Sequence, residues 1–361
     1  MIIKSLELTD YRNYDRLNIE FDKGTNIFYG DNAQGKTNIL EALYIAATTK
    51  SHKGSRDSEI VKFGKEESHI RTIVENDGIP TRVDMHLRSS KSKGIAIDGN
   101  RIKKAADLMG ICKVVFFSPE DLNIVKNGPT YRRRFIDMEL CQLDQFYLYN
   151  LNNYNKVLNR RNQVLKDIYF DRSLEESLNI WDDQLISYGT KIVERRDKFA
   201  SELEEEIKEV HYKLSGGREN ISIIYEPSTT VDDFEKNLKA SRARDLKSKM
   251  TSIGPHRDDF AFMAGDIDIR KFGSQGQQRT AALSLKLSEI DMMKKISGES
   301  PVLMLDDVLS ELDRKRQGFL LDSIGDIQTF ITCTGIDDFV NDRFVMNRVF
   351  YVENGNVRQM S

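Results

Sequence analysis

Little in this sequence invites a covalent or metal-based framework. Of 361 residues only three are cysteines, Cys112, Cys141 and Cys333, far apart and without a CxxC pair. The five histidines show no ligand-like spacing with them, so neither a disulfide framework nor a zinc site is expected. No window approaches the roughly 18 to 20 uninterrupted apolar residues of a membrane span. Met1 leads straight into the alternating stretch Ile2 to Leu8 instead of a signal peptide, so the expected location is the cytosol, with no membrane partner. A strong excess of one charge is missing as well. A formal net charge of −3 and a pI near 6.1 exclude a protein that coats nucleic acid with its whole surface, and any DNA contact has to be local. Internal repeats, low-complexity tracts and the long heptad runs of a coiled-coil arm are absent too.

What is present suffices for one large domain or two lobes, with 39% hydrophobic and 31% charged side chains. The start is β-rich: Ile2 to Tyr14 and Leu17 to Phe21 alternate, and Thr25 to Tyr29 is an apolar strand ending at Gly30. A polar loop follows, and then Ile39, Leu40, Leu43 and Ala47 recur at helical spacing. Residues 68–100 read as short strands turning at Asp77-Gly78 and Asp98-Gly99, and 113–117 as a buried strand. From there to about Ser215 the pattern is helical, with Leu143, Tyr147, Leu151, Tyr154, Leu158 and Leu165 on one face. Strands are expected at 221–227, 258–270, 301–307, 328–334 and 347–352, and helices through 233–250 and 275–295. Basic residues cluster at Lys50, His52, Lys53 and Arg56; Lys91, Lys93, Arg101, Lys103 and Lys104; Arg132 to Arg134; Lys156, Arg160 and Arg161; and Arg242, Arg244, Lys247 and Lys249. Interleaved with acids, each cluster first reads as a solvated face.

The loop Gly30-Asp31-Asn32-Ala33-Gln34-Gly35-Lys36-Thr37 satisfies GxxxxGK[ST] between an apolar strand and a helix. Glycines let backbone N–H groups converge on phosphates, and the helix start adds its positive dipole end. Lys36 supplies a point charge to the β- and γ-phosphates of ATP, and Thr37 a hydroxyl ligand for Mg²⁺. The apolar strand Pro301 to Leu305 ends in two carboxylates; Asp306 fits the magnesium-holding acid, and Asp307 a base that orients the attacking water. Ser274-Gln275-Gly276-Gln277 opens a helix with a capping serine.

Taken in order with Ser310-Glu311-Leu312-Asp313, these motifs resemble the signature, Walker B acids and D-loop of ABC-type ATPases. The resemblance narrows to the RecF family. It rests on Leu8 to Tyr14, Ser118 to Asp121 with Gly128-Pro129 and Arg132 to Asp137, Gly254 to Asp259, and Leu305 to Asp313. It implies an α/β ABC-type head with a mixed β-sheet around the phosphate loop and an inserted, mainly helical lobe, without a long coiled coil. Residues 1–117 and 255–361 would form the ATPase lobe and 118–254 the helical lobe, with 272–278 at the junction. It also implies a head-to-tail homodimer in which Ser274, Gln275, Gly276, Gln277 and Asp313 act in trans on the partner's ATP. The activity implied is an ATP-dependent DNA-binding switch with slow, DNA-stimulated hydrolysis, working with RecR and RecO to load RecA at gapped DNA. By the same resemblance Arg12 and Arg56 are candidate nucleotide contacts.

Three departures from the wider ABC pattern stand out. Asp307 replaces the usual glutamate, which suits a slow switch. The strand Thr329 to Thr334 lacks a switch histidine, leaving Thr332 or Thr334. No glutamine lies between Asp107 and Tyr131, leaving Glu120 or Asp121 as metal sensors. His256 and Arg257 sit in a turn whose chemistry is not evident. A transporter ATPase subunit would carry the missing histidine, and an SMC-type head would need the missing heptads. A DNA clamp that binds ATP with little turnover uses the same residues as a slow switch.

Overall fold

The structure, a computed structural model, describes residues 1–335 and 346–360. In chain order its elements begin with β1 (Ile2–Tyr11), β2 (Tyr14–Glu20), β3 (Thr25–Tyr29), α1 (Lys36–Thr48), α2 (Asp57–Ile60), β4 (Glu67–Asn76), β5 (Ile79–Arg88), β6 (Gly94–Ile97), β7 (Asn100–Arg101) and β8 (Val114–Phe117). The middle holds α3 (Leu122–Lys126), α4 (Pro129–Leu143), α5 (Gln145–Asp167), α6 (Leu178–Leu214), β9 (Ile221–Glu226), α7 (Phe234–Ala240), α8 (Arg242–Ser248), β10 (Asp259–Ala264), β11 (Ile267–Asp268) and α9 (Ile269–Phe272). The chain closes with α10 (Gln275–Ser297), β12 (Val302–Asp306), α11 (Arg314–Ile324), β13 (Thr329–Cys333), β14 (Met346–Glu353) and β15 (Asn356–Gln359).

Two compact units result, Met1–Asp121 with Glu289–Ser361, and Leu122–Ser288. Among its described residues the first holds two six-stranded sheets. One is antiparallel, in the order β2-β1-β4-β5-β6-β7, and buries alternate residues on one face. Asp77-Gly78 and Asp98-Gly99 both take positive φ and close its two-residue hairpins, the geometry that matches strand twist. The other sheet, β15-β14-β3-β13-β12-β8, is parallel except for its edge strand β15. Its strands β8, β12 and β13 are buried throughout, as the apolar runs Val114–Phe117, Val302–Asp306 and Thr329–Cys333 require. Helix α1 is buried almost all round and packs against strands of both sheets, including β4, β5, β8, β12 and β13. The loop before it is thereby anchored at the carboxyl ends of the parallel strands, where ligands bind in open α/β sheets.

The second unit packs α5 along α6, a single helix of 37 residues. Buried arginines tie it together: Arg161 pairs with Asp182 and Asp245, and Arg196 with Asp137 and Asp258. Arg132 is buried as well and is held by Asp259. Arg132 and Arg161 therefore leave the set of solvated basic clusters. Expectation and structure differ at the second boundary. The sequence reading places residues 255–288 in the ATPase lobe, whereas β10 pairs along its whole length with β9 and so belongs with the helical unit. The stretch 258–270 is also divided, into β10, β11 and the start of α9. Among the described residues no helix is long and apolar enough to cross a membrane.

Candidate nucleotide site

The loop from β3 to α1 depends on its glycines. Gly30 and Gly35 take φ of +146° and +116°, and a Cβ on Gly30 would lie 2.3 Å from the Val352 carbonyl oxygen. One on Gly35 would lie 2.5 Å from Asn13 Nδ2 and 2.7 Å from the Tyr14 hydroxyl. Those same neighbours brace the loop. Asn13 Nδ2 donates to the Gln34 carbonyl (2.9 Å), Tyr14 Oη to the Gly35 carbonyl (3.0 Å), and the Asn354 N–H to Gln34 Oε1 (2.6 Å). Asp31, Asn32 and Ala33 form the exposed tip, with Ala33 at a left-handed φ. Lys36 is buried and folds back to donate to the carbonyls of Gly30 (2.6 Å) and Asp31 (2.7 Å). Burial pushes its ammonium below the usual lysine range, opposed by Asp307, Cys333, Asp306 and Asp31.

The second half arrives from the far end of the chain. With β13 between β3 and β12, Thr37 at the start of α1 reaches over to donate to Asp306 Oδ1 at 2.7 Å. Thr332, paired with Asp306 across the ladder, donates to the same oxygen at 2.7 Å and accepts from the Asp307 N–H at 3.0 Å. Of the two candidate threonines, then, Thr332 is buried against Walker B, while Thr334 is exposed. Asp307 holds φ at +54°, and Ser310 Oγ donates to its carbonyl at 2.8 Å. A hydroxyl beside a carboxylate is a hard-oxygen donor set, which fits Mg²⁺ and not a thiophilic metal.

Arg12 is more committed than a free nucleotide contact. Its Nε and Nη2 donate to Glu41 at 2.8 Å each, Nη2 also to Ser55 Oγ and Nη1 to the Glu59 carbonyl. Burial works to raise the Glu41 pKa, but the hydrogen bonds from Arg12 and Ser51 outweigh it and hold the carboxyl below its usual range. Glu41, on the buried face of α1, was missed in the sequence because an acid inside an apolar helix carries no motif. Arg12 also lines a cleft of about 580 Å³ with Asn13, Asn38, Lys62, Phe63 and Lys65, and the Phe63 ring is fully exposed there. Arg56 is exposed, and its N–H is capped by Glu59. Of the two metal-sensor candidates, Glu120 is exposed and Asp121 accepts from the Ser118 N–H at 2.7 Å.

The signature residues belong to the second unit. Ser274 and Gln277 form a reciprocal capping box: the Gln277 N–H donates to Ser274 Oγ (3.2 Å), and the Ser274 N–H to Gln277 Oε1 (2.9 Å). Glu219 holds the Gln277 amide at 3.1 Å, a partner that no motif foretold. Ser274, Gln275 and Gly276 are exposed at the start of α10. In the first unit Asp313 is exposed and caps α11 through the Arg316 N–H at 3.0 Å; the side chain of Glu311 lies outside the described residues.

The family model for the RecF/RecN/SMC N-terminal domain matches residues 2–358. The DNA replication and repair protein RecF of Lachnoclostridium phytofermentans is 57% identical over 99% of this chain and 100% of its own length. That of Agathobacter rectalis is 58% identical over 99% of both chains. Among solved structures, the recombination mediator protein RecF-ATP of the RecFOR pathway superposes with a TM-score of 0.93 at 34% identity, covering 99% of this chain and 97% of that one. An SMC head bound to the C-terminal winged-helix domain of ScpA, at 16% identity and a TM-score of 0.58 over 100% of this chain and 98% of that one, shares the fold alone. With an ABC-type head assembled around Lys36, Thr37 and Asp306 and near-complete alignment to these relatives, the chain belongs to the RecF family of DNA replication and repair proteins.

Proposed function

We propose that the chain is an ATP-driven DNA-binding switch whose ATP sites are completed by a second copy. The observation that carries this reading is the 2.7 Å bond from Thr37 to Asp306, which joins residues 269 positions apart, at the point where we propose that Mg²⁺ binds. ATP would sit with its phosphates against the N–H groups of residues 31–37, where the helix start and the Lys36 ammonium supply positive charge. Two Lys36 N–H groups hold loop carbonyls, and the third is available to a phosphate oxygen. Thr37 and Asp306 would hold Mg²⁺, which supplies charge neutralisation between the β- and γ-phosphates. Asp307, held at a left-handed φ by its bonds to Thr332, would orient the attacking water. The cleft of Arg12, Asn13, Asn38, Lys62 and Phe63 is the available place for the base.

Ser274 is suited to act in trans because its hydroxyl accepts from Gln277 and keeps its own proton to donate to a γ-phosphate. Exposed cations of the ATPase unit, among them Lys50, Lys53, Arg56, Lys103 and Lys104, are available to DNA phosphates. Two modest basic faces joined by dimerisation over one duplex bind far better than one. The relatives named for the RecFOR pathway support RecR and RecO as partners; the outcome proposed with them is RecA loading at gapped DNA, in the cytosol. Sedimentation with ATP tests the core of the reading. Lys36→Ala should lose ATP-induced dimers, and equal dimerisation of variant and parent would overturn it.

A further inference from the structure

The solvent face of the antiparallel sheet holds an arrangement with no part in the nucleotide site. On β4 the outward residues are Glu67, His69 and Arg71; across the ladder on β5 they meet Arg88, His86 and Asp84 respectively. His69 and His86 are directly opposed, and their rings stack with centroids 3.9 Å apart and planes inclined by 33°. Glu67 lies two residues along the same face, and its Oε2 is 2.6 Å from His86 Nε2. One ligand atom from each of Glu67, His69 and His86 lies within 4.8 Å of the other two. The imidazoles open onto a cleft of about 560 Å³.

We propose that Glu67, His69 and His86 form a binding site for one borderline-soft divalent cation, with Zn²⁺ as the chemistry that fits. Two imidazole nitrogens and one carboxylate oxygen suit zinc and its neighbours, whereas Mg²⁺ and Ca²⁺ take oxygen ligands. Tetrahedral zinc with bonds near 2.1 Å wants its ligand atoms about 3.4 Å apart. Closing from the present separations asks only for rotamer adjustments in side chains that are exposed or partly exposed. On binding, His86 changes tautomer: the proton that Nε2 shares with Glu67 is released to solvent and Nδ1 takes one up, which leaves Nε2 and the carboxylate free for the metal. Three protein ligands leave a fourth position facing the cleft for water or an anion. Arg88 contacts both Glu67 and His86 Nδ1, and must swing aside because a ligated His86 turns Nδ1 into a donor. No Cys/His spacing announces the site, since the strand ladder and not the local sequence brings the donors together.

Zn²⁺ titration of the chelator-stripped full chain, without nucleotide and with excess Mg²⁺, tests the proposal. Competition against a chromophoric chelator gives affinity and stoichiometry. The ring NMR signals of the five histidines locate the metal without any substitution. The expected result is one Zn²⁺ per chain, with the signals of His69 and His86 shifted and those of His52, His211 and His256 unmoved. His69→Gln and His86→Gln should each weaken binding by about tenfold or more, since even outer partners of metal ligands contribute that much. Asp306→Asn should leave it unchanged. Absence of binding, binding indifferent to both histidine substitutions, or binding lost with Asp306→Asn would each overturn it.

Discussion

Asp307 is held in a left-handed conformation that costs a non-glycine residue about 1 kcal/mol or more, and its N–H is bound by both oxygens of Thr332. Asparagine tolerates that backbone at least as well, so Asp307→Asn should fold normally while losing the charge proposed to orient the attacking water. ATP binding should persist, phosphate release should fall by about a hundredfold or more, and dimers should accumulate; unchanged release would remove Asp307 from that role. His256 was singled out in the sequence only as part of a turn. In the structure its Nδ1 meets the Tyr154 hydroxyl at 2.7 Å and its Nε2 the Thr251 carbonyl at 3.0 Å, which assigns the proton to Nε2 and makes Nδ1 the acceptor. Burial pulls its pKa from 6.5 down to about 4. A depressed base is neutral in the native state over a range where the unfolded chain is protonated. Its contribution is therefore complete above pH 6.5 and is lost as pH falls toward 4, by up to about 3 kcal/mol. Urea unfolding at pH 7 and pH 5 should show a shallower acid loss in His256→Gln than in the parent. Equal slopes would assign the loss to other groups.

Elements that announce themselves locally were legible. Strand, loop and helix around Lys36, the apolar strand ending at Asp306, and the Asp-Gly hairpins all follow from periodicity and turn chemistry. What was not legible depends on non-local pairing. Thr332 meets Asp306 because β13 lies between β3 and β12, Glu41 meets Arg12 from inside an apolar helix, and β10 leaves the ATPase lobe because it pairs with β9. The start of α10 shows both kinds. Its capping serine was readable, whereas the grip of Glu219 on Gln277 was not, since Glu219 follows the Gly216-Gly217 break far upstream. If Glu219 fixes the signature, Glu219→Ala should lose one charge-assisted hydrogen bond, worth about 1.5 kcal/mol. Dimer-dependent ATPase should then drop by about tenfold. ATP affinity of the free chain should hold, because the phosphate loop belongs to the other unit. A parallel fall in ATP affinity, or full turnover, would place Glu219 outside signature positioning.

For the whole molecule, the proposed switch requires that each ATP site be shared between two copies. Ser274→Arg should put a bulky cation where the partner's γ-phosphate must sit, so that variant alone should be inactive, as should Lys36→Ala alone. A mixed dimer has one site with both defects and one with neither, because intact Lys36 comes from the first chain and intact Ser274 from the second. If a crosslinker joins the two chains at random, so that pairing does not depend on ATP, about half the pairs are mixed, each with one good site of two, and ATPase should recover to roughly a quarter of the value for crosslinked parent if the sites act independently. Coupling between the sites would lower that figure without removing the recovery. If Ser274 served its own chain's nucleotide, every site would keep a defect and mixing would restore nothing. Crosslinking of differently tagged chains shows first that mixed dimers form. Activity above the sum of the separate variants then establishes sharing in trans, and its absence in a crosslinked mixture refutes it.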